Sequence, residues 1–467
     1  MRLTAIALLA AVALPGCGSD SKNAGSKSAG IELSIPNSSG TGDSVPTKSP
    51  PVSQFSEAVQ SLIQKANAAV VAGRNSVAIE SLSQAIGITP EDAVLFRMRA
   101  DVYTLQGENA NARADFSTAV RLAPSNPDLL NFRGYFLMSQ GLMEESLKDF
   151  DNAIELHPKY SAALNNRGLL SLTAKDYKAA EADFTQAIES DRKFSDAWNN
   201  RAFARMKQEQ YEPAMADIKV ALQLKDDYVT AWNNCGLIAM QLEKFEEAEK
   251  AFARAVELDP VDARWVNHHR AALLKQNRFA EAQKDAQKIE WLNQLTALSQ
   301  NANRNVRDPR SWIGRGEHLM NGQQYGAAIQ DFTRALVVNP GNPEALFDRA
   351  VAWARTGDLQ KAMVDCDESL VAQPTKEAYS LRGEIWLRLD NPDQAVNDFE
   401  LAGRFDGQVA EAYEKRAAKL RESGAVAEAD ADVAKAAELR EAMVTKPSDP
   451  NAPTSSAEGF NPETSVQ

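Results

Sequence analysis

Residues 161–194 read SAALNNRGLLSLTAKDYKAAEADFTQAIESDRKF, and residues 195–228 read SDAWNNRAFARMKQEQYEPAMADIKVALQLKDDY. Each stretch is 34 residues long, and both carry Asn-Asn-Arg at positions five to seven. A period of this length indicates an array of short structural units, in which each unit buries its apolar face against the next one.

The residues of one repeat follow helical spacing in both halves. In the first half, Leu164, Gly168 and Ser171 are separated by four and three residues, and in the second half Tyr177 and Phe184 are seven apart. Such spacings are typical of amphipathic helices that are buried on one side. Each repeat is therefore predicted to form two helices joined by a turn.

The same period recurs along most of the chain. We expect seven repeats in residues 59–296, a polar insert in residues 297–308 and four repeats in residues 309–443, which makes eleven copies. Position eight is small, which lets the two helices approach closely. The residues at this position include Gly134, Ala202 and Gly236.

This pattern resembles the tetratricopeptide-repeat family over about 385 residues, and Trp198, Trp232 and Trp312 occupy position four as in that family. The resemblance implies an all-α fold. The expected architecture is a right-handed α-α superhelical solenoid of eleven 34-residue helix-turn-helix repeats, whose first helices line a concave groove.

Positions seven and twenty-three carry opposite charges. Eight repeats pair an Arg with an Asp and are predicted to form structural ion pairs between the two helices, namely Arg99–Asp115, Arg133–Asp149, Arg167–Asp183, Arg201–Asp217, Arg315–Asp331, Arg349–Asp365, Arg382–Asp398 and Arg416–Asp432. A ninth Asp, Asp285, is expected to face His269. Repeat six replaces both charges with Cys235 and Ala251, which is consistent with the high cost of removing one half of a buried pair.

A column of amides marks the candidate binding site. In the family, ligand groups come from the first helix, and a side-chain amide can pair with an extended backbone of any sequence. The predicted peptide-binding groove contains Asn131, Asn165, Asn166, Asn199, Asn200, Asn233, Asn234, Asn267 and His268. Apolar residues at positions nine and twelve would add adaptable contacts. An alternative is that the Asn pairs were inherited by recent duplication of one repeat.

The N-terminal region resembles a bacterial lipoprotein signal in residues 1–17. An apolar run from Leu3 to Leu14 precedes Pro15-Gly16-Cys17, and it is too short to span a bilayer. The resemblance implies lipid attachment at Cys17, and the alternative is an ordinary secretory signal with an incidental Cys. Residues 18–55 and 445–467 are predicted to be a disordered tether and a disordered tail, because they contain few apolar residues.

Composition limits the function classes. The formal net charge of −13 argues against nucleic acid, and three Cys are too few for a disulfide framework. The sequence contains no P-loop, HExxH or GxSxG motif. We therefore predict a protein that is not an enzyme and needs no cofactor, metal or small-molecule substrate.

The predicted function is a membrane-anchored scaffold that binds an extended polypeptide. It would act as an envelope adaptor for a secretion, pilus or cell-wall assembly, at the periplasmic face of the outer membrane or at the cell surface, and its lipid anchor would be its contact with the membrane. One alternative is a structural or self-associating lipoprotein without a groove ligand. Another is a glycosyltransferase regulatory array separated from its catalytic domain.

Overall fold

The computed structural model describes residues 56–445, and within that range every regular element is an α-helix. The predicted signal in residues 1–17 and the predicted tether in residues 18–55 lie outside the described residues. All but the first residue of the predicted tail, residues 445–467, also lies outside them.

The helices follow one another as antiparallel pairs, one pair for each predicted repeat. Repeats one to six contain α1 (Glu57–Val71), α2 (Asn75–Ile88), α3 (Ala93–Gln106), α4 (Asn109–Leu122), α5 (Pro127–Ser139), α6 (Met143–Leu156), α7 (Ser161–Thr173), α8 (Tyr177–Ser190), α9 (Ser195–Lys207), α10 (Tyr211–Leu224), α11 (Val229–Gln241) and α12 (Phe245–Leu258). Repeats seven to eleven contain α13 (Ala263–Lys275), α14 (Phe279–Arg304), α15 (Pro309–Asn321), α16 (Tyr325–Val338), α17 (Pro343–Thr356), α18 (Leu359–Ala372), α19 (Lys376–Arg388), α20 (Pro392–Ala402), α21 (Gly407–Glu422) and α22 (Val426–Thr445).

The chain divides into two compact units. The first comprises the described part of Met1–Asp259 together with His268–Phe279, and the second comprises Pro260–Asn267 together with the described part of Ala280–Gln467. Within each unit, the first helix of a repeat packs on its own second helix and on the second helix of the preceding repeat. This is the paired helix-turn-helix packing of a tetratricopeptide solenoid, which confirms the predicted fold class.

The predicted repeat starts coincide with helix starts at nine of the eleven positions, from Ala93 in α3 to Lys376 in α19. The helix α14 is 26 residues long and ends at Arg304. Most of the polar insert in residues 297–308 therefore continues this helix, and a turn connects its end to α15.

In the repeats that have glycine at position eight, this residue packs directly on a Phe ring of the second helix. A Cβ added at Gly134 would lie 2.8 Å from Phe150 Cε1, and one added at Gly168 would lie 2.6 Å from Phe184 Cε1. Contacts this short do not occur between real carbon atoms, so these glycines make room for the Phe rings. The two helices are consequently held at close range around a fully buried aromatic side chain.

The turn between the two helices uses a left-handed residue at position fifteen. Gly141 has φ +77°, but Lys175, Glu209 and Glu243 occupy the same position with φ between 58° and 62°. A left-handed conformation is unfavourable for residues with a Cβ. Asn277, Gln323 and Asp390 share this position and conformation, so repeats four to eight and repeat ten carry local strain at a point where the remaining repeats use glycine.

Candidate functional site

Each of the eight predicted Arg–Asp pairs is present as a hydrogen-bonded ion pair. In every pair Nε and Nη2 of the guanidinium donate to the two oxygens of one carboxylate, as in Arg167 and Asp183 at 3.0 and 2.6 Å. The eight Asp side chains are 1–9% exposed. Hydrogen bonding to the carboxylate raises the pKa of Arg99, Arg133 and Arg167. These residues hold the two helices of a repeat together, which is a structural role.

The seventh repeat has His269 at position seven, and its expected contact with Asp285 stays a prediction. His269 Nε2 lies 3.5 Å from Glu249 Oε1 of α12, so the structure gives this His a carboxylate partner in the preceding repeat. In repeat six, Cys235 and Ala251 are both buried and contribute to the apolar core of the first unit.

Side-chain hydrogen bonds connect the first helices of repeats three to seven, with one step between each pair of neighbouring repeats. In each step, the side chain at position six bonds to the side-chain oxygen at position five of the preceding repeat. The steps are Asn166 Nδ2 to Asn131 Oδ1 at 2.9 Å, Asn200 Nδ2 to Asn165 Oδ1 at 3.1 Å, Asn234 Nδ2 to Asn199 Oδ1 at 2.9 Å and His268 Nδ1 to Asn233 Oδ1 at 2.6 Å. We call these eight residues the amide ladder.

Further bonds extend the amide ladder along and beyond these steps. Within repeat five, Asn199 Nδ2 donates to Asn200 Oδ1 at 3.3 Å and so joins two steps. At the N-terminal end, Asn131 hydrogen-bonds the Tyr160 hydroxyl, which in turn donates to Asp128 Oδ1 at 2.6 Å. Burial, followed by the Asp128 charge, raises the pKa of Tyr160. The chain of bonds thus ends on a carboxylate.

The amide ladder corrects the predicted peptide-binding groove. All eight of its residues are buried, with exposed fractions of 0–8%, and their amides bond to one another across repeats. The prediction that these amides face an open groove is therefore wrong for them, because successive first helices approach closely enough to enclose positions five and six. The ninth predicted residue, Asn267, is exposed. The bonded residues are 35 positions apart in the sequence, from position five of one repeat to position six of the next. This spacing is the sequence signal for amides that bond to each other across repeats.

Some ladder atoms have no hydrogen-bond partner. These buried atoms are Asn165 Nδ2, Asn166 Oδ1, Asn233 Nδ2 and Asn234 Oδ1. In both repeats the unpartnered donor and acceptor belong to adjacent residues, and the corresponding atoms of Asn199 and Asn200 in repeat five bond to each other. Repeats four and six therefore each contain one amide donor and one amide acceptor that are buried without a hydrogen bond.

Apolar side chains at positions nine and twelve of repeats three to six form a second feature of the same helices, which we call the first-helix strip. It consists of Tyr135, Met138, Leu169, Leu172, Phe203, Met206, Leu237 and Met240. Leu169, Leu172, Phe203 and Met206 are buried in one cluster, and Met138, Leu237 and Met240 pack against it while remaining partly accessible. The middle of the first-helix strip is thus buried in the core, whereas the side chains near its two ends remain partly accessible.

In the second unit, carboxylates gather on the first helices α15 and α17. Burial, followed by the charges of Glu317 and Glu344, raises the pKa of Asp348 to about 7. Asp348 Oδ2 is buried and has no hydrogen-bond partner. Burial and the charge of Glu344 also raise the pKa of Glu317. The sequence pattern does not reveal this group, because its members come from two different repeats.

Over residues 56–445, no cluster of three or more His, Cys, Asp or Glu has the arrangement of a metal site. In the same range, none of the helices combines the length and apolarity that crossing a membrane requires. Burial raises the pKa of both Cys235 and Cys366 to about 12, so neither thiol is activated as a nucleophile.

Sequence profiles of the tetratricopeptide repeat match four stretches of the chain, two in repeats one to four, one in repeat six and one in repeats eight and nine. The matched residues are 63–127, 133–193, 229–262 and 313–377.

Two curated relatives share part of the chain. A DnaJ homolog subfamily C member 7 homolog from Dictyostelium discoideum is 26% identical over 145 residues, which are 30% of this chain and 27% of the relative. The Hsp70-Hsp90 organizing protein 2 of Arabidopsis thaliana is 24% identical over 87 residues, which are 18% and 15% of the two chains. The chain therefore spans about a quarter or less of the length of these relatives.

Several solved structures are similar in fold. PilW, a type IV pilus biogenesis factor, has 20% identity and a TM-score of 0.41, covering 45% of this chain and 98% of its own. PilF of Pseudomonas aeruginosa has 23% identity and a TM-score of 0.40, covering 45% and 95%. YrrB, described as a protein with an unusual peptide-binding site, has 17% identity and a TM-score of 0.33, covering 40% and 97%.

Proposed function

Because this chain belongs to the tetratricopeptide-repeat family, we propose that it is a protein-binding scaffold whose first-helix strip holds an extended, apolar segment of a partner polypeptide. The observation that carries the proposal is the first-helix strip. It has Met, Leu or Phe side chains at the same two positions in the first helices of four successive repeats. Flexible Met side chains such as Met138 and Met240 can adapt to different apolar partners.

The charges near the strip favour an uncharged segment. Asp128 stands at position two of α5 and accepts a hydrogen bond from the Tyr160 hydroxyl, and burial raises the pKa of Asp196 at the same position of α9. Carboxylates that are already engaged offer little to a basic side chain. Apolar contacts would therefore supply most of the affinity of the strip.

We propose further that the protein is anchored in a bacterial envelope through a lipid on Cys17 and serves there as an adaptor. The support is the apolar run followed by Leu14-Pro15-Gly16-Cys17 in the sequence. Buried acyl chains contribute about 0.8 kcal/mol per CH₂, so more than one chain on a single residue would hold the protein firmly. The adaptor would act for a secretion, pilus or cell-wall assembly.

The strip proposal is tested by capture from detergent-solubilised envelope with residues 55–445 as bait. We expect Leu237→Ser combined with Met240→Ser to abolish capture of a partner, because both side chains are partly accessible members of the strip. The matched control is Leu147→Ser combined with Leu224→Ser, which alters two second-helix residues that are 41% and 40% exposed.

Loss of the partner from the strip variant and its retention by the control would support the strip as the binding surface. Equal capture by both variants would move the interface elsewhere and refute the proposal. Circular dichroism of each variant establishes that the helices are intact before capture is compared.

The anchor has its own test. Growth with an alkyne-bearing fatty acid should label the full chain, and Cys17→Ser should remove both the label and the association with membranes. A labelled Cys17→Ser protein, or an unlabelled native one, would contradict lipid attachment at Cys17.

Self-association is a second candidate function, favoured by exposed apolar side chains on the second helices of the second unit. Val337 is 78% exposed and Val371 is 88% exposed. Light scattering of the purified protein without a partner distinguishes the two functions. A monomer would exclude self-association. A dimer that is lost in Val337→Ser combined with Val371→Ser would support it.

A further inference from the structure

All steps of the amide ladder run in the same direction. The donor always belongs to the later repeat and the acceptor to the earlier one, from His268 in repeat seven to Asn131 in repeat three. In repeat five, Asn199 accepts a bond from Asn234 and donates to Asn200, which donates to Asn165, so these three bonds are arranged head to tail and strengthen one another.

Each middle repeat takes part in two steps through adjacent residues. In repeat five, Asn200 reaches back to repeat four and Asn199 receives the bond from repeat six. Because both residues sit on one turn of α9, a displacement of this helix strains both steps at once. The same holds for Asn165 and Asn166 on α7.

Burial makes the loss of any step costly. The Asn residues on α7, α9 and α11 are 0–5% exposed, so an amide that loses its partner cannot turn to water without movement of the helix that carries it. Leaving a further buried polar group unpaired carries its full desolvation penalty, and movement of the helix that brings the group to water relieves this cost. The disturbance would then be passed to the next step.

We propose that the amide ladder makes the first helices of repeats three to seven one cooperative element, in which the loss of one step loosens helices beyond the neighbouring repeat. In an ordinary solenoid each repeat contacts only its neighbours, so a local disturbance decays within one or two repeats. Each step of the amide ladder also joins neighbouring repeats, but adjacent residues of one helix turn connect successive steps and so form a path along the array. This property is independent of any partner.

The test is hydrogen exchange of the full chain carrying Asn234→Ala, which removes the donor to Asn199. We expect the amides of α5 and α7 to exchange at least about threefold faster than in the native protein, although neither helix contains the substitution. The matched control is Cys235→Ala, the next residue of the same helix. Cys235 is buried and lies 3.9 Å from Met215 Sδ, outside the amide ladder, so its loss should speed exchange near α11 and leave α5 unchanged.

A second variant separates cooperativity from simple destabilisation. Asn199→Leu combined with Asn234→Leu removes the donor and the acceptor of this step together, and it also ends the bond that Asn199 donates to Asn200. This protein should remain folded, yet α5 and α7 should still exchange faster, because the step is absent. Native exchange of α5 and α7 in both ladder variants, with changes confined to α9 and α11, would overturn the proposal.

Discussion

Arg133 and Asp149 are joined by two parallel hydrogen bonds, since Nε and Nη2 of the guanidinium each lie 2.7 Å from one carboxylate oxygen. The Asp149 side chain is 4% exposed, and that of Arg133 is 24% exposed. Repeat six has Cys235 and Ala251 at the corresponding positions. The same array therefore contains both the complete ion pair and a complete apolar replacement of it.

Removal of one partner of this pair should be much more costly than removal of both. We expect Asp149→Ala to destabilise α5 and α6 by about 3 kcal/mol, because Arg133 is left without its carboxylate. Arg133→Cys combined with Asp149→Ala, which copies repeat six, should cost distinctly less. The measurement is the opening free energy of α5 and α6 amides by hydrogen exchange. Equal losses in the single and the paired variant would contradict the prediction.

The contact between position eight and the Phe ring predicts a rescue experiment. Gly168→Ala should destabilise repeat four by about 2 kcal/mol, because the added Cβ meets Phe184. In repeat five the corresponding residues are Ala202 and Ile218, and both are completely buried. Gly168→Ala combined with Phe184→Ile should therefore be more stable than Gly168→Ala alone. Urea unfolding followed by circular dichroism provides the comparison, and strictly additive losses would count against the steric explanation.

The left-handed turn residues predict a gain in stability. Lys175→Gly and Glu209→Gly should each stabilise the protein by about 0.5 kcal/mol, since glycine relieves the positive φ but enlarges the freedom of the unfolded chain. The opposite change, Gly141→Ala at φ +77°, should destabilise by about 1 kcal/mol. Thermal unfolding midpoints of the three variants provide the test. A lower midpoint for the two glycine variants would show that turn strain is not the controlling factor.

Asp348 predicts a dependence of stability on pH. Its pKa is raised to about 7 in the folded protein, whereas an unfolded Asp has a pKa of about 3.9. Between these two values the folded state keeps a proton that the unfolded state releases, so stability falls as pH rises to about 7 and is then constant.

Asp348→Asn should remove this effect. At pH 8 the variant should be more stable than the native protein by about 2 kcal/mol, after allowance for partial solvent screening, and near pH 4 the two should be alike. The difference between the two unfolding curves at each pH isolates Asp348 from the many other acidic groups. A gain in stability that is equal at pH 8 and at pH 4 would contradict the titration of Asp348 as its cause.

The helical organisation could be predicted from the sequence because it is a local property. The 34-residue period fixed the start of α3 at Ala93 and of α15 at Pro309, and the spacing of Leu164 and Phe184 indicated the buried face of each helix. The paired charges at positions seven and twenty-three identified the ion pairs, since two residues that change together in repeat six must be close in space.

The environment of the Asn column could not be predicted in the same way. Helical periodicity places Asn165 and Asn166 on a face of α7, but it does not give the distance to the first helices of the adjacent repeats. That distance decides whether an amide meets a ligand or another amide. The carboxylate group around Asp348 was missed for a related reason, because Glu317 belongs to the preceding repeat.

The constant interval of the amide ladder has a consequence for how such a chain can change in length. Position six always bonds to position five of the repeat before it, so excision of residues 195–228 would place Asn234 opposite Asn165 and preserve the step. The ion pairs lie within repeats and would be unaffected. Within repeats three to seven, insertion or loss of whole repeats in the gene is thus structurally neutral for both bonding schemes, whereas a deletion of any other length there would break the register of the buried amides. Whole-repeat duplication is then the route by which the protein can acquire a longer surface without redesign of its interior.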